Sequence, residues 1–296
     1  MKTFSAMKTN IYNKVKGLAM MLAVGLFVLT PTEAQGKKPK QLVILHTNDT
    51  HSTIFPLNSQ LPDTLKAGRG GFIRRIEMLK QERKKHPDLL YFDSGDFCQG
   101  SGYYTVFKGE VEIALMNEMG IDAATIGNHE FDDGLENMAR NFRMAKFPIV
   151  CANYDFTGTP VEGLVKPWVI IKRNGVKIGV FGIGTQLKGM VSDKNCVGVK
   201  YLDPSTVALQ TATMLKEEKK CDIVICLSHL GWEISPPDDD NTMISRSRNI
   251  DLVLGGHSHT YMPSLKYAKN MDGKDVTVDQ NGKHAIFVGK LVVELK

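Results

Sequence analysis

At 296 residues, 42% hydrophobic and 23% charged, the chain has an ordinary globular make-up, which excludes a disordered or fibrous protein and leaves room for a sizeable core. The formal net charge is +5, but four Lys and one Glu fall in the first 34 residues, which leaves +2 for the rest. That balance excludes reading a nucleic-acid surface from charge.

In chain order, the first 34 residues have the layout of a secretory leader. Lys2, Lys8, Lys14 and Lys16 make a basic start, residues 18–29 are apolar and uncharged, and Thr32 and Ala34 are small residues where a signal peptidase reads them. Cleavage after about Ala34 is expected, with export to the periplasm or the cell exterior. The apolar run falls short of the roughly 20 residues of a membrane span, so stable membrane insertion is not expected.

Residues 41–46, QLVILH, read as a buried strand, and a loop with Pro56, Pro62 and a GRGG stretch follows. Phe72, Ile73, Ile76 and Leu79 recur at helical spacing and predict an amphipathic helix over 72–85, with KQERKK as its solvated part. Strand-into-turn units at 89–96 and 122–130 alternate with helices at 110–118 and 135–144, and 147–153 reads as a strand. Residues 165–184 read as a hairpin turning at Asn174-Gly175. A helix over 204–219, with Pro204 near its start, precedes two more strand-into-turn units at 221–231 and 251–259, and the tail at 286–295 is strand-like. SPPDDDN at 235–241 reads as a solvated loop. Strands alternating with helices indicate one mixed α/β domain over 35–296. The five cysteines, an odd number without C-x-x-C spacing, predict neither a disulfide framework nor a thiolate metal site, and Cys151 and Cys226 read as small buried hydrophobes.

Five of the strand-into-turn units end in metal-type side chains: Asp49 and His51, then Asp96, then Asn128 and His129, then His229, then His257 and His259. In open α/β sheets, sites form at the carboxyl ends of strands, so these turns predict one convergent site. Asp49 and His51 are two apart, and in an extended segment they face the same way. The Gly255-Gly256 pair before His257 allows a close backbone approach. Mixed His, Asp and Asn donors suit zinc, manganese or iron. His46, His86 and His284 are assigned to core or surface.

The segments VILHTNDTH, SGD, IGNHEFD, SHLG and GGHSH, with the run RSRNIDLVLGGHSHT, resemble the metallophosphoesterase motifs of the 5′-nucleotidase family across nearly all of residues 35–296. The resemblance implies a four-layer α/β/β/α sandwich of two mixed sheets with the metal site at the strand C-terminal ends. It implies two divalent ions, one on Asp49, His51 and His259 and the other on Asn128, His229 and His257, bridged by Asp96. His129 would stabilise the transition state or protonate the leaving oxygen, with Asp132 holding its imidazole. The substrate would be a small phosphoester, a nucleotide first, attacked by hydroxide from metal-bound water. UDP-sugar hydrolysis and 2′,3′-cyclic nucleotide cleavage stay open.

Three departures matter. His259 stands where some members carry Gln, and Ser52 where Gly or Ala is common; little is expected from the latter. The family's full-length enzymes have a C-terminal domain that reads the nucleoside, and this chain stops at Lys296, so that domain is expected to be absent. A separate docking chain would supply it, or the domain would act alone with loose specificity. A catalytically weak metal-binding subunit is the reading of another class.

Overall fold

Long apolar strands with no polar face call for cover on both sides, and the structure provides it. The computed structural model describes residues 2–5, 40–234 and 239–295. The elements in order are β1 (Lys2–Ser5), β2 (Lys40–Thr47), α1 (Phe72–Lys85), β3 (Leu90–Asp93), α2 (Gly102–Phe107), α3 (Glu110–Met119), β4 (Ala123–Ala124), α4 (Gly134–Met144), β5 (Ile149–Val150), β6 (Tyr154–Asp155) and β7 (Val165–Lys166). There follow β8 (Trp168–Arg173), β9 (Val176–Ile183), β10 (Lys200–Tyr201), α5 (Pro204–Thr213), β11 (Ile223–Ser228), α6 (Asp240–Ser245), β12 (Leu252–Leu254), β13 (Lys266–Lys269), β14 (Asp275–Asp279) and β15 (Gly289–Leu295).

One sheet has the order β1-β15-β2-β3-β4-β5-β7 and the other β13-β14-β12-β11-β9-β8, while β6 and β10 form a short separate pair. In the first, only the β15–β2 pairing is antiparallel. In the second, the edge strands β13 and β8 run antiparallel to a parallel centre. Alternation along single strands makes the layers. Leu42 and Ile44 of β2 join Ile178, Val180, Ile223, Ile225 and Leu227 in a core between the sheets. Val43 and Leu45 face the other way, onto Phe72, Leu79, Ile113, Met116, Leu135 and Met138 of α1, α3 and α4. On the far side, Phe181, Ile183, Val224 and Cys226 pack with Ala208 and Ala212 of α5 and Met243 and Ile244 of α6. This is the expected α/β/β/α sandwich of two mixed sheets.

Local expectations meet corrections. The hairpin turns at Asn174 and Gly175, both left-handed at φ 50 and 71°, as its two-residue loop demands. Helix α1 occupies 72–85, but Ile73 is 45% exposed and Arg75 is buried instead. Arg75 donates to the Tyr91 hydroxyl at 3.2 Å and to Thr47 Oγ1 at 3.3 Å, so hydrogen bonding brings the guanidinium inside. The helix expected over 204–219 ends as α at Thr213 and closes with a wider π turn over Met214–Glu218. SPPDDDN is not all solvated: residues 235–238 lie outside the described residues, whereas Asp239 and Asp240 are buried, and Asp239 caps α6 by accepting from the Thr242 amide at 2.8 Å. Cys98, Cys151, Cys221 and Cys226 are buried free thiols, and burial pushes that of Cys151 up to about 12. The expected leader lies outside the described residues apart from Lys2–Ser5, a strand paired in parallel with β15. Among the described residues no helix is long and apolar enough to cross a membrane.

Candidate metal centre

The singled-out side chains sit just past the C-terminal ends of five strands. Asp49 and His51 follow β2, Asp96 follows β3 and Asn128 follows β4, all in the first sheet; His229 follows β11 and His257 and His259 follow β12 in the second. The loops after β2 and β3 continue side by side, with the amides of Asp49, His51 and Ser52 donating to the carbonyls of Gly95, Asp96 and Phe97 at 2.9, 2.9 and 3.0 Å. Asp49 and His51 do not converge through an extended strand, as their spacing had suggested. Both are left-handed, at φ 49 and 43°, and so are Asp96, His257 and His259 at 54, 70 and 55°. Each such residue costs about 1–2 kcal/mol, and the kinked backbone is what turns these side chains toward a common centre.

All seven expected ligand side chains come together there. Nε2 of His51 and Nε2 of His259 are 2.9 Å apart. Oδ1 of Asp49 lies 3.4 Å from Nε2 of His259 and 3.9 Å from Nε2 of both His51 and His229. Oδ2 of Asp96 is 3.1 Å from Nε2 of His229, and Nδ1 of His257 is 3.0 Å from Oδ1 of Asn128. Asp49, His51 and His259 form one group whose ligand atoms lie within 4.8 Å of one another; Asp96, His229 and His257 form a second, and His51, Asp96 and His129 a third. Asp96 thus stands between the His51 side and the His229 side.

The donor chemistry fits divalent cations. His229 Nδ1 donates to the Ser94 carbonyl at 2.6 Å, which fixes the tautomer and leaves the Nε2 lone pair buried without a hydrogen-bond partner. Oδ2 of Asp49 accepts from the Asn48 side-chain amide at 2.6 Å and the His257 backbone amide donates to both Asp49 oxygens at 3.1 and 3.0 Å, while Oδ1 of Asp96 accepts from the His129 backbone amide at 2.9 Å and leaves Oδ2 facing the centre. Burial holds His51 and His257 down to about 4, which keeps both rings neutral and able to donate lone pairs. Burial opposes charge on His229 too, but the Asp96 and Asp49 carboxylates outweigh it and push that ring up to about 10. The site therefore favours positive charge where Nε2 points.

Residues flanking the ligands hold them, and the sequence reading passed over them. Glu130, buried, accepts from the amides of Asp96, Gly127 and Cys98 at 2.9, 2.7 and 3.1 Å, and so ties the turn after β3 to the turn after β4. Asn48 bridges from Asp49 to the Gly282 carbonyl at 2.8 Å. The signal available was position: both are polar residues inside quoted motifs, one or two places from a ligand. The expected close approach at the glycine pair is present, since a Cβ on Gly256 would stand 2.8 Å from both His229 Nδ1 and the Ser94 carbonyl oxygen. Tighter still is Gly127, where a Cβ would overlap Asp96 Oδ1 and stand 2.6 Å from His229 Nε2. Gly127→Ala is expected to push these two side chains apart and weaken metal binding by about 10- to 100-fold, the range seen when ligand-orienting contacts are lost. Metal titration of the folded variant, with circular dichroism as the control for folding, checks this.

His129 begins a 3₁₀ turn over His129–Phe131, and its Nδ1 donates to Asp132 Oδ2 at 2.8 Å. Burial lowers its pKa, but the hydrogen bond to Asp132 and the Asp96 charge outweigh it and raise it to about 8. Asn195 fixes the Asp132 carbonyl at 2.7 Å. The ring lies edge-on to His51 at 5.3 Å, half-buried at the rim of the centre.

The calcineurin-like phosphoesterase family model matches residues 42–261, a stretch that contains all of these side chains. The chain belongs to that family of metal-dependent phosphoester hydrolases. Within it, the chain is 32% identical over 278 residues to mouse 5′-nucleotidase, a match that covers 86% of this chain and 46% of that protein. The 5′-nucleotidase precursor of Thermus thermophilus superposes with a TM-score of 0.78 at 28% identity, over 87% of this chain and 52% of that one. The calcineurin-like phosphoesterase YfkN of Bacillus subtilis gives a TM-score of 0.72 at 26% identity, over 87% and 86%. The chain spans about half the length of the curated relatives it matches.

Proposed function

We propose that residues 35–296 form an exported, dinuclear phosphomonoesterase of 5′-nucleotidase type, acting on nucleoside 5′-monophosphates. The observation that carries this reading is the pair of three-residue donor groups, Asp49–His51–His259 and Asp96–His229–His257, which share one centre with the His129–Asp132 pair at its rim. Asp49, His51 and His259 would hold one ion, Asn128, His229 and His257 the other, and Asp96 would bridge them. Two such ions would neutralise the phosphoryl oxygens and supply a nucleophile from water at neutral pH. The chain's own part is to fix those ligands and to offer His129. With Nδ1 committed to Asp132, its Nε2 is the atom left to donate to a phosphoryl or leaving-group oxygen.

The test is phosphate release from AMP by the full chain loaded with Mn²⁺ or Zn²⁺, beside a chelated control and a metal-to-protein ratio. Release that chelation abolishes, at about two ions per chain, is the expected result. Two bound ions without release would overturn the substrate assignment, and a single bound ion at full activity would overturn the dinuclear one.

A further inference from the structure

A cavity of about 490 Å³ opens next to His51, and neither the metal ligands nor the His129–Asp132 pair accounts for it. Its floor is polar. The hydroxyls of Ser52 and Ser101 are 2.5 Å apart, and Ser52 also donates to Glu112, a wholly buried carboxylate whose other oxygen has no hydrogen-bond partner. Ser101 in turn caps α2, accepting from the amides of Tyr103 and Tyr104 at 3.1 and 3.2 Å, so the same hydroxyl chain fixes the helix that carries one wall. Ser52 therefore contributes more than its place after the D-x-H suggested.

That wall is apolar and open. Phe55, Tyr103, Val106 and Phe107 line it and are 55, 40, 68 and 44% exposed. The rings of Phe55 and Tyr103 stand 5.9 Å apart at 40°, so the two are in contact and form one adjoining aromatic surface. The corner nearest the metal centre is His284, assigned by sequence to core or surface. Its amide donates to the Asp49 carbonyl at 2.8 Å, its ring lies 5.8 Å from that of His51, and it and Ala285 are consecutive left-handed residues at φ 62 and 57°. A strained turn bonded to the metal-ligand loop thus carries this imidazole to the cavity's edge.

The geometry points to this cavity as the subsite for the alcohol part of the phosphoester, with the base of a nucleoside against Phe55 and Tyr103 and its hydroxyls toward Ser101 and His284. This rests on the phosphomonoesterase reading above. Three observations favour that occupant. The cavity adjoins the centre, because Ser52 and His284 line it, Ser52 directly follows His51, and the His284 ring lies 5.8 Å from that of His51. Its size falls within the roughly 300–1,000 Å³ of small-molecule sites. It also pairs apolar rings with a few fixed polar groups, which is how such sites bind and orient a ligand.

The experiment compares AMP with ribose 5-phosphate, the same phosphomonoester without the base, on the metal-loaded full chain. Adenosine is also titrated into chelated protein and followed by NMR. KM for ribose 5-phosphate is expected to exceed that for AMP by about 10-fold, in line with the stacking of one base on aromatic rings. Phe55→Ala and Tyr103→Ala should each shrink that ratio several-fold and weaken adenosine binding in parallel, whereas Tyr267→Ala, an exposed aromatic on the β13 edge, should keep the wild-type ratio. Equal KM values with no adenosine binding overturn the subsite, as does an AMP preference that both cavity variants retain. If neither ester is hydrolysed but adenosine binds the wild type and not Phe55→Ala, the subsite stands and the phosphomonoesterase reading falls.

Discussion

Asp96→Asn is expected to lower metal occupancy at both positions of the centre and to cut turnover by about 10³-fold or more, since the ions are asked to stabilise several kcal/mol of transition-state charge. The side chain's two oxygens have separate duties. Oδ1 accepts from the His129 amide at 2.9 Å, and Oδ2 faces His229 Nε2 at 3.1 Å. Asparagine has the same size and can keep its oxygen on the His129 amide. It then presents an NH₂ group to His229 and removes a negative charge that stands between the His51 and His229 sides. Burial opposes ionisation of Asp96, and the nearby His229, His129 and His51 overcome it, so the native carboxylate is charged across the physiological range. Metal analysis after dialysis, read beside circular dichroism, decides the matter. Loss of a single equivalent would show that Asp96 serves one ion and is not a bridge.

His129→Ala is expected to behave in the opposite way: metal content near that of the wild type and turnover down by about 10²-fold or more, the scale for removing an acid or an electrostatic donor. The variant keeps the backbone amide that holds Asp96, because alanine retains it. What disappears is an imidazole whose side chain is 31% exposed and whose Nδ1 is already bound by Asp132. Asp132→Asn should cost less, about 10-fold, since the ring stays and only its orientation and charge support weaken. His129 also lies in a three-residue group with His51 and Asp96, so a His129→Ala protein that loses a metal ion would make His129 a ligand.

How much of this was legible beforehand depends on the interaction involved. The layers were, because Leu42 and Ile44 alternate with Val43 and Leu45 and burial on both faces leaves an unbroken apolar run. That the ligand-type side chains would gather was, because such residues just past the ends of five strands are a local pattern. The means of their convergence was not: an extended D-x-H and a left-handed one have the same spacing, and only backbone angles separate them. Arg75 was missed because periodicity ranks side chains by hydrophobicity and cannot see that Tyr91 and Thr47 await a donor. Glu130 was missed because its partners are backbone amides, two of the three from another turn, which leave no trace in the letters. Ser52 and Glu112 are 60 residues apart, and neither alone announces the other. His284 lies outside every quoted motif, and only the path of the 282–285 turn brings it near His51.

The left-handed backbone at Asp49, His51, Asp96, His257 and His259 also sets what selection can and cannot improve. At each of these positions glycine would relax the main chain while deleting a donor atom. Ranked by melting temperature in a chelating buffer, the better sequences would then be the inert ones, and thermal robustness and competence would pull these five codons in opposite directions.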